Sequence, residues 1–401
     1  MQGLDTAVQQ RINDWLTGNY DDATKNEIQT LVDNNDANAL TDAFYKDLEF
    51  GTGGLRGIMG AGSNRVNKYT LGMATQGFSN YLLQQYPDQQ IKVAIAYDNR
   101  NNSDTFAQMT ADVFSANGIY VYFFEALRPT PELSYAIREL GCQGGVMLTA
   151  SHNPKEYNGY KAYGANGGQL VSPVDQAVLQ EVRKISSIDQ INFDAKSENI
   201  ETIGAELDEK FYNDLVALSI SKEAIKRQKD LKIVFSPIHG TGAVSVPPIL
   251  KRFGFENVIP VKEQMIADGN FPTVIYPNPE EQEALTMALN LAAEVDADLV
   301  MATDPDADRV GIAVKNDKNE FVLLNGNQAA CLLIKYMLTA WEKAGKLDGN
   351  QYVVKTIVTS YLIDKIAASK NVDCYNTLTG FKYIGEIMTE LEGKKTFIAG
   401  G

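Results

Sequence analysis

Three aspartates alternate in TDPDADR, residues 303–309: Asp304, Asp306 and Asp308. On extended backbone alternate side chains point the same way, so the three carboxylates would share one face. They would repel one another unless a cation or a turn intervened, and carboxylate oxygens are the donors hard cations prefer. An EF-hand is excluded, because its sixth and twelfth positions must be Gly and Glu, where this chain has Arg309 and Lys315. The competing reading is a solvated acidic turn. The apolar run ADLVMA, which carries the loop to the end of a buried strand, favours the metal site.

A second polar cluster follows the apolar run Val146-Met147-Leu148: Thr149, Ala150, Ser151, His152, Asn153 and Pro154. A hydroxyl beside an imidazole suggests a nucleophile and its base. There is no Gly-x-Ser-x-Gly elbow, however, and neighbours on extended backbone face opposite ways, so Ser151 and His152 are not expected to meet. Three cations lie in further motifs. Lys161 stands in YNGYK, Lys382 in LTGFK at a strand-to-helix turn, and Arg56 in the glycine-rich GTGGLRG. The last reads as a loop whose N–H groups approach a phosphate while the guanidinium clamps it. Taken alone, Lys161 is more often a surface cation and GTGGLRG reads also as a flexible turn; none of the three is specific by itself. His239, in SPIHGTG, reads equally as a structural turn residue or as a residue facing the cleft.

Such residues need rigid elements behind them. Apolar strands ending in polar turns recur as IKVAIAYDNR, GVMLTASHNP, LKIVFSPIHGTG, ADLVMATDPDADR, YVVKTIVTS and CYNTLTGFKYIG. Helical stretches over 104–117, 281–294 and 327–344 lie among them. This alternation predicts an α/β protein of three consecutive units with mixed sheets and sites at the strand ends. Val8, Ile12, Trp15 and Leu16 fall at helical spacing before Gly18, and further helices are expected over 22–33 and from about Asn38 to Phe50. The expected organisation is a helical extension over 1–50 and units over 51–205, 206–320 and 321–401.

The net charge of −15, from 36 basic and 51 acidic residues, argues against nucleic acid or an anionic membrane as partner. An anionic substrate would need a locally positive pocket. Three scattered cysteines without metal-ligand spacing fit a reducing compartment. The N-terminal MQGLDTAVQQRINDW has no signal-peptide pattern, and the apolar stretch AACLLIKYMLTAW, interrupted by Lys335, is too short to span a bilayer. A cytoplasmic protein is expected.

Arg56 in GTGGLRG, Ser151 in TASHNP, YNGYK, DPDADR and TGFK together, in this order, resemble the α-D-phosphohexomutases, the phosphoglucomutase/phosphomannomutase family, over residues 45–401. The N-terminal helices and EFGTGGLRGIMGAGSNRVNKYT resemble the branch containing phosphoglucomutase-2-like and phosphopentomutase-like enzymes. The resemblance implies that Ser151 carries a phosphoryl group, gives it to a hexose or pentose monophosphate, and recovers the other phosphate from a sugar 1,6-bisphosphate. It implies Mg²⁺ held by Asp304, Asp306, Asp308 and an oxygen on Ser151. Arg56 and Arg309 would add positive charge there, and Lys161 and His152 would manage the proton. Thr379, Gly380, Lys382 and His239 would meet the substrate. Family members continue beyond a strand like KKTFIAGG into a Glu-Glu-Ser loop and a fourth domain, whereas this sequence ends at Gly401. The expectation is therefore an incomplete third unit, no fourth domain and little turnover. The alternatives are a phosphopentomutase, a non-catalytic sugar-phosphate-binding protein, and an aspartyl phosphatase of the haloacid-dehalogenase type, which could also use DPDAD after a strand.

Overall fold

Residues 3–49 and 54–401 are described by a computed structural model. The chain forms two compact units, one comprising residues up to Leu127 with Leu133–Gly204, the other Arg128–Glu132 with Ala205–Gly401.

The first unit opens with helices α1 (Thr6–Thr17), α2 (Asp22–Asp33) and α3 (Ala37–Phe44). Asp5, Asp21 and Asp36 cap their N-termini, each carboxylate accepting a first-turn N–H. The stripe Val8, Ile12 and Trp15 buries against Ile28, Leu40 and Phe44, and the same cluster takes in Tyr69, Val113, Ile188 and Ile191. The third helix stops at Phe44, short of the expected Phe50, which lies outside the described residues. The chain after it turns to pair with a neighbouring segment instead: the Leu48 N–H donates to Ser63 O and the Ser63 hydroxyl to Lys46 O.

The sheet of this unit contains β1 (Gly54–Ile58), β2 (Lys92–Tyr97), β3 (Tyr120–Phe124), β4 (Gly144–Leu148), β5 (Tyr157–Gly164) and β6 (Ile200–Ile203), in the order β1-β5-β4-β2-β3-β6. β4, β2, β3 and β6 run parallel, while β5 is antiparallel to β4 and to β1. Val93, Ile95, Val146 and Leu148 are fully buried between the covering helices. One reading is corrected here. Residues 54–58 of the glycine-rich stretch form a strand, with Arg56 opposite Gly159, and YNGYK lies in another. Glycine serves close approach rather than looping: a Cβ on Gly159 would lie 2.6 Å from Thr149 O and 2.7 Å from Leu55 O. Gly51, Thr52 and Gly53 of the expected phosphate loop lie outside the described residues.

The second unit holds two sheets. One has the order β11-β10-β9-β7-β8, built from β7 (Ile233–Ser236), β8 (Val258–Pro260), β9 (Leu299–Thr303), β10 (Val310–Lys315) and β11 (Phe321–Leu324). It is mixed, since β9, β7 and β8 are parallel and β10 is antiparallel to both of its neighbours, β9 and β11. The other has β12 (Gln351–Thr356) between β13 (Asp373–Thr377) and β14 (Thr396–Gly400), all parallel, so this third sheet is not mixed among its described strands. Among the described residues no helix is long and apolar enough to cross a membrane.

Candidate active site

The serine loop begins where β4 ends. Ser151 has a φ of +52°, in the left-handed region, so the backbone is not extended there. This overturns the expectation that Ser151 and His152 point apart: the Ser151 hydroxyl lies 3.2 Å from His152 Nδ1. Hydrogen bonds from elsewhere hold the turn. The Ser151 N–H donates to Thr149 Oγ1 at 2.8 Å, and the Thr149 hydroxyl donates to Asp98 Oδ2 at 2.6 Å. Asp98 also accepts from the Ser103 hydroxyl at 2.8 Å and from the Arg100 N–H at 3.0 Å.

Arg100 then closes the loop from within. Its guanidinium donates to four carbonyls, those of Ser151, Asn153, Pro154 and Tyr157. Its side chain is fully buried, and a charge so placed is tolerated because these N–H groups meet carbonyl acceptors and the Asp98 carboxylate stands 3.5 Å from Nε. Asp98 and Arg100 are residues that motif reading missed. The available signal was AYDNR, the polar end of the strand paired in parallel with the serine strand.

Arg56 and Lys161 stand on the adjoining strands. Arg56 Nη1 donates to Asn153 Oδ1 at 3.2 Å, and Lys161, 9% exposed, lies opposite Met147 and Gly54 in the ladder. Both line a cavity of about 520 Å³ with Tyr45, Lys46, Tyr157 and Tyr160. Asp42 and Glu49 also line it, but their charges are met by Arg65 and Lys46. The cavity is thus one place in this acidic chain suited to an anion.

The aspartates occupy the loop between antiparallel β9 and β10, closed by the pair Thr303 and Val310. They converge through a turn, with Ala307 at φ +52°, rather than by strand alternation. One oxygen from each of Asp304, Asp306 and Asp308 can be chosen so that all lie within 4.8 Å of one another. Oxygens on opposite sides of a hard cation stand about 4–5 Å apart, so the set fits such an ion with little movement. Asp304 and Asp306 are buried, whereas Asp308 and Arg309 are exposed. Asp304 Oδ1 accepts the Arg309 N–H at 3.0 Å.

The SPIHGTG turn supports this loop. Thr241 donates its N–H and its hydroxyl to Pro305 O, each at 2.8 Å, and a Cβ on Gly240 would lie 2.4 Å from Pro305 Cα. His239 is 2% exposed, its Nδ1 2.8 Å from Ile266 O and its Nε2 2.8 Å from Thr273 Oγ1. A carbonyl only accepts, so Nδ1 carries a proton, while Nε2 shares a hydrogen bond with the Thr273 hydroxyl. With both nitrogens engaged inside the protein, the geometry supports the structural reading of His239 over substrate contact. In the TGFK turn, Gly380 has a φ of +128° and precedes the helix Phe381–Leu391; Thr379 is exposed and Lys382 Nζ lies 4.7 Å from the Tyr383 ring centre. Ser151, His152, Arg56 and Lys161 therefore belong to the first unit, and the aspartates, Arg309, His239 and the TGFK turn to the second.

Comparison with known proteins divides the chain into three domains. Profiles described as phosphoglucomutase/phosphomannomutase, alpha/beta/alpha domains I, II and III, match residues 47–189, 209–318 and 325–401. A phosphoglucomutase of Staphylococcus haemolyticus is 35% identical over 355 residues, covering 88% of this chain and 64% of that protein. A phosphopentomutase of Mus musculus is 34% identical over 415 residues, covering 99% of this chain and 67% of that protein. The chain thus spans about two thirds of the length of these relatives. The crystal structure of a phosphoglucomutase/phosphomannomutase family protein from Burkholderia thailandensis superposes with a TM-score of 0.68 at 18% identity, over 85% of this chain and 68% of that one, and so shares the fold.

Proposed function

Since the chain belongs to the phosphoglucomutase/phosphomannomutase family, we propose that it moves a phosphoryl group between the 1- and 6-positions of glucose or mannose phosphate, through phosphoserine at Ser151 and a sugar 1,6-bisphosphate. The observation that carries this reading is the serine turn: a buried hydroxyl against His152, in a loop locked by Arg100. Burial favours transfer to a sugar over loss to water.

The sugar hydroxyl attacks phosphorus, the bond from phosphorus to Ser151 Oγ breaks, and the sugar's proton passes to a base while Oγ regains one. His152 would hold the proton at Oγ, and Lys161 would manage the one on the sugar. Arg56 would meet the phosphate, with Arg309 adding charge from the aspartate loop. Asp304, Asp306 and Asp308, with an oxygen on Ser151, would hold Mg²⁺, which when bound offsets phosphoryl charge. Thr379, Gly380 and Lys382 would contact the sugar phosphate. Three free cysteines support a cytoplasmic setting.

A second reading, a phosphopentomutase acting on ribose 1-phosphate, is favoured by the near-equal similarity to the mouse protein. Intact-mass analysis after incubation with glucose 1,6-bisphosphate tests the shared chemistry. One added phosphate is expected on wild type and none on Ser151→Ala. Phosphate on the alanine variant would remove the serine mechanism and point to an aspartyl intermediate. Comparison of kcat/KM for glucose 1-phosphate and ribose 1-phosphate then separates the two substrates.

A further inference from the structure

We infer that Thr130 is a positioning residue for the aspartate loop, fixing the Asp306 carboxylate in the orientation that binds a divalent cation; this rests on the metal reading of Asp304, Asp306 and Asp308 given above. The Thr130 hydroxyl donates to Asp306 Oδ2 at 2.9 Å, and the Thr130 N–H donates to Asp306 O at 2.9 Å. One residue thereby fixes both the main chain and the side chain of another that lies 176 positions away. Thr130 is 9% exposed and Asp306 wholly buried, so bulk water is poorly placed to replace the bond.

Thr130 is itself held. It starts the helix Thr130–Glu139, and Arg128, two residues earlier, grips Asp208 through Nε and Nη2, each at 2.8 Å. The hydroxyl is therefore presented from a fixed backbone. A carboxylate free to rotate offers its ligand oxygen correctly only part of the time. A donor on its other oxygen removes that freedom before the cation arrives. Asp304 is braced differently, by Arg309 of the same loop. Asp306 is braced from a segment remote in sequence.

Threonine to valine keeps the shape and removes the hydroxyl. Manganese(II) titration of the full chain, followed by electron paramagnetic resonance of the free ion, reads the site without turnover. With T130V the dissociation constant should rise about tenfold or more, while T130S stays within about twofold of wild type. Melting curves taken alongside show whether each variant folds, and T130A replaces T130V if the latter does not. Wild-type affinity in T130V or T130A, or equal weakening in T130S, overturns the role of Thr130 and leaves the metal site standing. Equal manganese affinity in wild type and D306N removes the metal site itself, and the role of Thr130 with it.

Discussion

Ser151 holds a left-handed backbone conformation that costs a non-glycine residue about 1–3 kcal/mol, and such strain persists only where the surroundings impose it. Here Arg100 and the Asp98–Thr149 pair impose it, from a strand end some fifty positions upstream. That is why the residue types of the site were legible and their geometry was not. A serine and a histidine after a buried strand stand out locally, but the turn that folds one side chain onto the other depends on a distant guanidinium. Arg100→Lys keeps the charge and loses the four-carbonyl grip, since one ammonium cannot span it. We expect phosphate uptake by Ser151 to slow by about 100-fold, as for an ångström-scale misplacement of reacting groups. Rapid-quench measurement with glucose 1,6-bisphosphate checks this, and an unchanged rate would make Arg100 a purely structural residue.

Elements with local signatures were the readable ones. The helices expected over 104–117 and 327–344 are Ser103–Ala116 and Gly326–Lys343, and Asn325 caps the latter with Gln328 in a reciprocal box. The helix expected over 281–294 begins only at Thr286. β1 and β5 escaped notice because glycine and polar residues break the apolar pattern, and their pairing joins segments about a hundred residues apart. The turn SPIHGTG shows a similar limit, for its glycine answers to another loop's backbone. A methyl group on Gly240 must displace Pro305 and the aspartates beside it. Gly240→Ala should lower stability by about 1–3 kcal/mol, the usual range for overpacking, and weaken divalent-cation binding as well. Urea denaturation and manganese titration read the two effects separately. Stability loss with unchanged affinity would show that the turn does not set the loop's geometry.

At the scale of the whole molecule, stability against pH should carry the mark of one buried carboxyl. Glu132 is fully buried, and its pKa is raised from 4.5 to about 9 by burial first and by its hydrogen bond and proximity to Asp208 next. Burial opposes ionisation of Asp208 too, but hydrogen bonds from Arg128 and Glu132 hold that carboxyl below its usual value. Glu132 therefore keeps a proton in the folded chain that the unfolded chain releases. Its contribution is complete below about pH 4.5 and is lost as pH rises toward 9. Glu132→Gln, neutral at every pH, should gain stability relative to wild type across that window, on the order of a few kcal/mol by its upper end. Melting temperatures of both proteins between pH 5 and 9 test it, and parallel curves would show that Glu132 ionises normally. The short segment bearing Glu132, Thr130 and Arg128 has one more consequence, for the newborn chain. Although flanked on both sides by the first unit, it belongs with partners synthesised later. At ribosomal speeds of about 5–20 residues per second, Thr130 waits roughly 9–35 s before Asp306 is made. For roughly the first 4–16 s of that interval, until Asp208 is made 80 positions after Arg128, a protonatable carboxyl and a guanidinium destined for the interior lack the partner they will share. The growing polypeptide thus passes through a stage in which its earlier half is complete except for one unclaimed stitch.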